Sequence, residues 1–464
     1  MNIFKNHKED HKGLNIIVVG AGKVGSTLVE QLSKEGHDIT IIDKNKTRVE
    51  ALSGMYDVLG IIGNGASLTV QKSANVADAD LLIAVTGSDE LNLLCCTVAK
   101  HVSGCSAIAR VRTPDYSEET EYLRSKLDLA MVINPELEAA REIARLLYLP
   151  TALEVNTFAR GRADMIRFKV PKESPMVNNQ IANICGDSKT VGLICGIERN
   201  GEVIIPSGAD VVLAGDVVSF ISSREESKHF LKKFGFETRS VKNTMIVGGG
   251  RASFYLTKQL ISAGIETKII ENNVNRAKEL TDLLPEATII NADGTDMEVL
   301  KEEGLEYVES FVPLTGIDEE NVMLTLHARQ VSNAKVITKV NRTAFKNVIN
   351  SLDLGSVIYP RYITSEAIIA YVRALKESMG SEIETLYHLF DSRAEGIEFY
   401  VRENSKLTNK PLKDIKLKKG LLIALISRKG KIIIPTGNDE IMVGDSVVII
   451  TTHTGFDRIE DILA

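Results

Sequence analysis

What this 464-residue sequence lacks closes off several classes of function. No apolar run approaches the 18 or more residues that a membrane span needs, so a role at a membrane has to pass through a partner. Acidic residues outnumber basic ones, 62 to 55, for a formal net charge of −7. A basic face able to displace counterions from nucleic acid is therefore not expected. The five cysteines (Cys95, Cys96, Cys105, Cys185 and Cys195) form no CxxC, and their odd number fits a reducing cytosolic compartment better than a disulfide framework. The adjacent Cys95 and Cys96 fall in an apolar helical pattern and read as core packing. The eight histidines are scattered without metal-ligand spacing, so no metal is expected. There is no GxSxG, no Walker GxxxxGK[ST] and no HExxH. Tyr122 and Lys126 make a YxxxK of the short-chain dehydrogenase type, but the glycine pattern differs and no serine stands at a suitable upstream distance. Residues 1–12 are polar and lack the apolar core of a signal peptide.

What is present is a repeat. Ile16-Ile17-Val18-Val19 runs into Gly20-Ala21-Gly22-Lys23-Val24-Gly25, and a second apolar strand ends on Asp43. Met245-Ile246-Val247 runs into Gly248-Gly249-Gly250-Arg251-Ala252-Ser253, and the next strand ends on Glu271. Both pairs of landmarks stand 228 residues apart. In each half, short apolar runs alternate with amphipathic stretches, which predicts six parallel strands and a helix after the sixth. A smaller module then closes each half. Gly201–Gly208 matches Gly430–Gly437, and Ala214-Gly215-Asp216 matches Val443-Gly444-Asp445. The expected class is α/β: two doubly wound, Rossmann-like domains, each followed by a small α+β domain, as an internal duplication. The boundaries fall at 14–134, 151–235, 242–360 and 380–464.

The glycines carry the chemistry. Gly20 permits the tight turn after the first strand, Gly22 lets backbone approach a pyrophosphate, and Gly25 lets helix and sheet pack closely. Phosphates then sit over unpaired N–H groups at the helix N-terminus. Asp43, 18 residues past Gly25, is placed to accept from both ribose hydroxyls and to repel a 2′-phosphate, which favours NAD or an adenine nucleotide over NADP. Gly63-Asn64-Gly65-Ala66-Ser67 is positioned to cover the adenine. Thr86-Gly87-Ser88-Asp89, with Asn92, follows the fourth strand. Arg110 and Arg112 point the same way from the fifth and offer guanidinium forks to phosphates. In the second half Gly248, Gly250 and Glu271 repeat the pattern, but Ser253 stands for the third glycine and Lys339 for Arg110. The first cleft is therefore expected to bind more tightly.

These motifs, with Ala84-Val85-Thr86-x-x-Asp89-Glu90-x-Asn92 and Ala109-Arg110-Val111-Arg112, resemble the regulator-of-potassium-conductance (RCK or KTN) domain. The two smaller modules resemble that family's C-terminal companion domain. The tandem arrangement is similar to the regulatory subunits of Trk-type potassium-uptake systems. The resemblance implies a cytosolic, non-enzymatic homo-oligomer, usually a tetramer, peripheral to the membrane beneath a membrane-embedded potassium-transport subunit. It implies NAD(H) and ATP/ADP as ligands, with Gly20, Ala21, Gly22, Lys23 and Val24 around the phosphates, Asp43 on the ribose, and Thr86, Gly87 and Arg110 lining the rest. Two alternatives stay open: an NAD-dependent oxidoreductase, and a regulator of a different cation transporter or efflux system.

Overall fold

In the computed structural model, the described residues are 13–464 apart from 115, 117–118, 187–191, 343–347, 350–351, 353, 379–382, 391–392 and 457. The polar stretch 1–12 lies outside them. Two compact units form, one of Met1–Ala139 with Tyr359–Ile369 and one of Ala140–Ile358 with Ala370–Ala464.

The first unit holds a six-stranded parallel sheet. Its strands are β1 (Asn15–Val19), β2 (Asp38–Asp43), β3 (Leu59–Ile62), β4 (Leu81–Ala84), β5 (Ser106–Arg110) and β6 (Met131–Ile133), ordered β3-β2-β1-β4-β5-β6. Helices α1 (Lys23–Lys34), α2 (Lys46–Met55), α3 (Leu68–Ser73), α4 (Asp89–Ser103) and α5 (Thr120–Lys126) lie between strands. The pattern is apolar because both faces are covered: β1 and β4 are buried almost throughout, and Cys95, Cys96 and Cys105 join Val19, Ile42 and Ala84 in one core. Burial pushes the Cys95 thiol up to about 12 and Cys96 further, which keeps both protonated packing residues. Tyr122 is exposed on α5, with the Lys126 ammonium against its ring in a surface contact. The chain order reverses between β1 and β4, and a doubly wound sheet binds ligands at the crevice this opens.

Helix α6 (Pro135–Tyr148) follows β6. The second unit repeats the parallel sheet with β12 (Asn243–Val247), β13 (Glu266–Glu271), β14 (Thr288–Asn291), β15 (Ser310–Pro313), β16 (Lys335–Lys339) and β17 (Ser356–Ile358), in the equivalent order β14-β13-β12-β15-β16-β17. Its helices include α9 (Arg251–Ser262), α10 (Val274–Leu283), α11 (Met297–Glu302) and α12 (Asp318–Val331), and α13 (Pro360–Ser378) follows β17. Between them α7 (Ile181–Cys185) and α8 (Arg224–Lys233) belong to the first small module.

The two small modules are five-stranded sheets with antiparallel pairing. One contains β7 (Glu154–Phe158), β8 (Ala163–Lys169), β9 (Gly192–Arg199), β10 (Glu202–Ile204) and β11 (Val217–Ser223), ordered β10-β9-β11-β8-β7. The other contains β18 (Ile383–Leu389), β19 (Ala394–Tyr400), β20 (Leu421–Arg428), β21 (Lys431–Ile433) and β22 (Ser446–Thr451), ordered β18-β19-β22-β20-β21. The repeated Gly-Asp signature is structural. Asp216 takes a two-pronged contact from Arg199, at 2.8 and 2.7 Å, and accepts from the N–H of Leu213. Asp445 does the same with Arg428 and Met442. Both carboxylates are buried and fully committed to holding the hairpins.

Sequence reading treats these modules as separate, yet their faces share one core. Phe158, Met165, Cys195 and Ile221 pack with Leu389, Phe390, Leu425 and Val448. Small residues make the approach possible: a Cβ on Gly196 would stand 2.4 Å from Cζ of Phe390, and one on Gly396 would stand 3.1 Å from Cζ of Phe158. Arginines cross in both directions, Arg393 donating to the Gly201 carbonyl and the guanidinium of Arg162 lying against Gly430. Replacing Gly196 with Leu should therefore lower stability by about 1–3 kcal/mol through overpacking. Denaturant unfolding checks this, and an unchanged midpoint would mean the two sheets do not meet there.

Candidate nucleotide-binding site

The first cleft opens where β1 ends. Gly20 takes φ +111°, which only glycine adopts freely, and its N–H donates to the Ile42 carbonyl at 2.8 Å. A Cβ on Gly25 would stand 1.8 Å from the Gly20 carbonyl oxygen, so the helix start rests directly on the strand end. A Cβ on Gly22 would meet nothing within 4 Å. Gly22 is also the N-cap of α1, and no side chain caps the helix. The first-turn N–H groups therefore face an open space suited to an anion. Lys23 and Val24 form that first turn.

Asp43 ends β2 with its carboxylate already oriented. Oδ2 accepts from the Ala21 N–H at 2.6 Å and Oδ1 from the Asn45 N–H at 2.8 Å. A carboxylate has about four lone-pair sites, so acceptor capacity remains for ribose hydroxyls. The loop Gly63–Ser67 lies against β1, where a Cβ on Gly65 would stand 2.2 Å from Cγ1 of Val19. Buried Gln71 holds that loop by donating to the carbonyls of Gly65 and Cys95, at 2.7 and 2.9 Å.

On the other side of the switch point, Thr86 and Gly87 follow β4 and Arg110 ends β5. The Arg110 guanidinium donates to the Thr86 carbonyl. Burial, aided by neighbouring Arg112, lowers the Arg110 pKa to about 10, so it remains a cation at neutral pH. Arg112 is engaged differently from Arg110. It leans on the first-turn carboxylates beside it, with Nη1 3.7 Å from Glu136 and Nε 4.0 Å from Asp89, and donates to the Gly87 carbonyl at 3.0 Å. Its guanidinium is thereby engaged with the scaffold around α4 and α6. Asp89 is buried, which opposes its charge, but the N–H groups of Arg112 and Thr113 and the Thr113 hydroxyl outweigh burial and hold its carboxyl below the usual range.

The second cleft repeats this geometry through compensating changes. Gly248 takes φ +96°, and a Cβ on Gly250 would meet nothing within 4 Å. Glu271 is one methylene longer than Asp43, yet it makes the same contacts, accepting from Gly249 at 2.6 Å and Asn273 at 2.7 Å. The room comes from Gly249, which stands where the first copy has Ala21; a Cβ there would lie 2.9 Å from Oε2 of Glu271. Ser253 replaces the packing glycine and turns its hydroxyl inward to donate to the Gly248 carbonyl. Arg276 caps the loop, Nε donating to the Gly249 carbonyl at 2.7 Å, a contact that sequence reading missed. Lys339 donates to the Leu314 carbonyl at 2.9 Å, one residue away from the equivalent of Thr86. Leu300 takes the place of Gln71 and leaves the second loop without that tether.

Family models match almost the whole of both halves. The TrkA-N domain matches residues 16–135 and 244–360, and the TrkA-C domain matches 165–235 and 397–464. The chain belongs to the TrkA family. The Trk system potassium uptake protein TrkA homolog 1 of Methanosarcina mazei is 31% identical over 460 residues, covering 96% of this chain and 99% of that protein. The Trk system potassium uptake protein TrkA of Haemophilus influenzae is 31% identical over 443 residues, covering 94% and 95%. The Archaeoglobus fulgidus homolog is 32% identical over 449 residues, covering 97% and 100%. Among solved structures, the GsuK channel bound to NAD aligns at a TM-score of 0.63 with 17% identity, covering 96% of this chain and 77% of that one. The GsuK RCK domain aligns at 0.61 with 16% identity, covering 96% and 95%. These last two establish the duplicated RCK fold. Among the described residues no helix is long and apolar enough to cross a membrane.

Proposed function

We propose that this chain is the cytosolic, nucleotide-binding regulatory subunit of a Trk-type potassium-uptake system. It gates a membrane-embedded transport subunit in response to NAD(H) and ATP/ADP. The observation that carries this reading is the duplicated cleft, with open first-turn N–H groups and an oriented carboxylate in both copies. The relatives' name as potassium uptake proteins, and the NAD bound by a channel of the same fold, support it. Four modules at 14–134, 151–235, 242–360 and 380–464 act as a homo-oligomer, a tetramer by family resemblance, docked on the membrane subunit from the cytoplasmic side. Gly20 to Val24 hold the phosphates over the packing glycine Gly25, Asp43 the ribose, and Thr86, Gly87 and Arg110 the far side, with Gly248, Gly250 and Glu271 in the second cleft. A ligand shifts such an assembly only by binding one of its shapes better. A charge-assisted hydrogen bond that the terminal phosphate of ATP makes and ADP cannot make supplies coupling on the order of 1–3 kcal/mol.

Calorimetric titration of the full chain with NADH, ATP and ADP tests the reading. Saturable binding at one or two sites per chain is expected. Absence of binding by all three removes the sensor function, and steady NADH turnover with alcohols or hydroxy acids makes the chain an oxidoreductase instead.

A further inference from the structure

One side chain joins the ligand-side ends of β4 and β5. Asn92, one turn into α4, is fully buried. Its Oδ1 accepts from the Thr86 N–H at 2.8 Å and the Thr86 hydroxyl at 2.7 Å. Its Nδ2 donates to the Arg110 carbonyl at 2.8 Å and, more loosely, to the Thr86 carbonyl at 3.4 Å. That same Thr86 carbonyl receives the Arg110 guanidinium, whose buried Nε has no hydrogen-bond partner. The carbonyl thus has two donors, one charged and one neutral. The Arg110 backbone and side chain are held by different groups.

We propose that Asn92 is a positioning residue for phosphate recognition, keeping the Thr86 carbonyl satisfied and the Arg110 backbone fixed while the guanidinium turns to the ligand. The inference rests on the nucleotide-binding reading of the first cleft. Without Asn92, withdrawal of Arg110 leaves the part-buried Thr86 carbonyl with neither of these donors, and an acceptor held partly away from water and left unpaired is costly. With Asn92 present, the long 3.4 Å contact is free to shorten as the guanidinium leaves. Only the arginine side chain then has to move, and its unpartnered Nε gains an acceptor in the phosphate. The second copy keeps the tie. Asn321 makes the same four contacts to Thr315 and Lys339, and the Lys339 ammonium donates to the Leu314 carbonyl.

The test uses the full chain with its second cleft blocked by Gly250→Asp, titrated with ATP, ADP and AMP, with and without Asn92→Asp. Aspartate keeps the acceptor for Thr86 but loses both donors and draws Arg110 into an ion pair. The ratio of ATP to AMP affinity should fall about tenfold, while AMP affinity changes by less than about threefold. Asn92→Ala, which adds no charge, should lower the same ratio and serves if the aspartate variant does not fold. ATP and AMP affinities falling together would make Asn92 a purely structural tie and overturn the proposal. An unchanged ratio would overturn it too. Failure of the Asn92-intact chain to bind any of the three nucleotides would instead remove the reading of the first cleft, and this inference with it.

Discussion

Gly22→Asp should leave the protein at least as stable as the parent and abolish nucleotide binding in the first cleft. The two effects have one cause. Gly22 is the N-cap of α1 at φ −81° and ψ −168°, extended backbone that aspartate adopts without strain, and its Cβ would enter open space. Aspartate is among the best N-cap residues, and its charge favours the positive end of the helix by about 0.3–1 kcal/mol. That carboxylate occupies the N–H groups a phosphate would use and repels the ligand's charge, so affinity should fall by about 100-fold or more, roughly 2.7 kcal/mol. Thermal unfolding and calorimetry on the same sample separate the outcomes: a lowered Tm would mean the glycine is needed for folding, and unchanged affinity would move the phosphates elsewhere. In cells, nucleotide-dependent control of potassium uptake should be lost with Gly22→Asp and largely kept with Gly250→Asp. The ranking rests on the planar fork of Arg110, because Lys339 keeps the charge but gives up bidentate contact. If Gly250→Asp proves the more damaging, the second cleft is the principal sensor.

The sequence displays what is local and periodic. Strand ends at Val19, Asp43, Val247 and Glu271 fall where alternation and glycine spacing place them, because a turn that needs Gly20 or Gly248 can hardly be built otherwise. Six apolar runs in each half correspond to the six strands of each parallel sheet. Contacts between distant segments are harder to see. The apolar faces of β9 and β20 look like the inside of two independent small sheets, and nothing in their alternation marks them as facing each other. Arg112 and Arg110 share a face of the strand in sequence, yet Arg112 reaches Glu136 and Asp89 at 3.7 and 4.0 Å while the Arg110 guanidinium turns to the Thr86 carbonyl. Ser253 reads as damage to a glycine motif until its hydroxyl is found on the Gly248 carbonyl. The repeat carries a further signal: positions that change together between the two copies mark side chains that share space.

Ala21 and Asp43 against Gly249 and Glu271 are such a pair, and they predict a rescue. In the first copy a glutamate at 43 has to push its extra methylene into the space of the Ala21 methyl group. The second copy shows the conflict from the other side, where a methyl on Gly249 would lie 2.5 Å from Cδ1 of Leu280 and 2.9 Å from Oε2 of Glu271. Asp43→Glu alone should therefore shift the carboxylate off the Ala21 N–H and weaken nucleotide binding about tenfold, near 1.4 kcal/mol. Ala21→Gly alone removes one methyl from a position that makes its contact through backbone, and should change affinity by less than about threefold. The double substitution should recover most of the loss, because the glutamate then reaches the same N–H that Glu271 reaches at 2.6 Å. The recovery would appear as a coupling of about 1 kcal/mol between residues in contact, well above the roughly 0.3–0.5 kcal/mol scatter of independent sites. Calorimetry on the four proteins, each carrying Gly250→Asp to silence the second cleft, measures it. Simple additivity would show that the two copies hold their acidic residue in different places, and that Glu271 is not a second ribose acceptor.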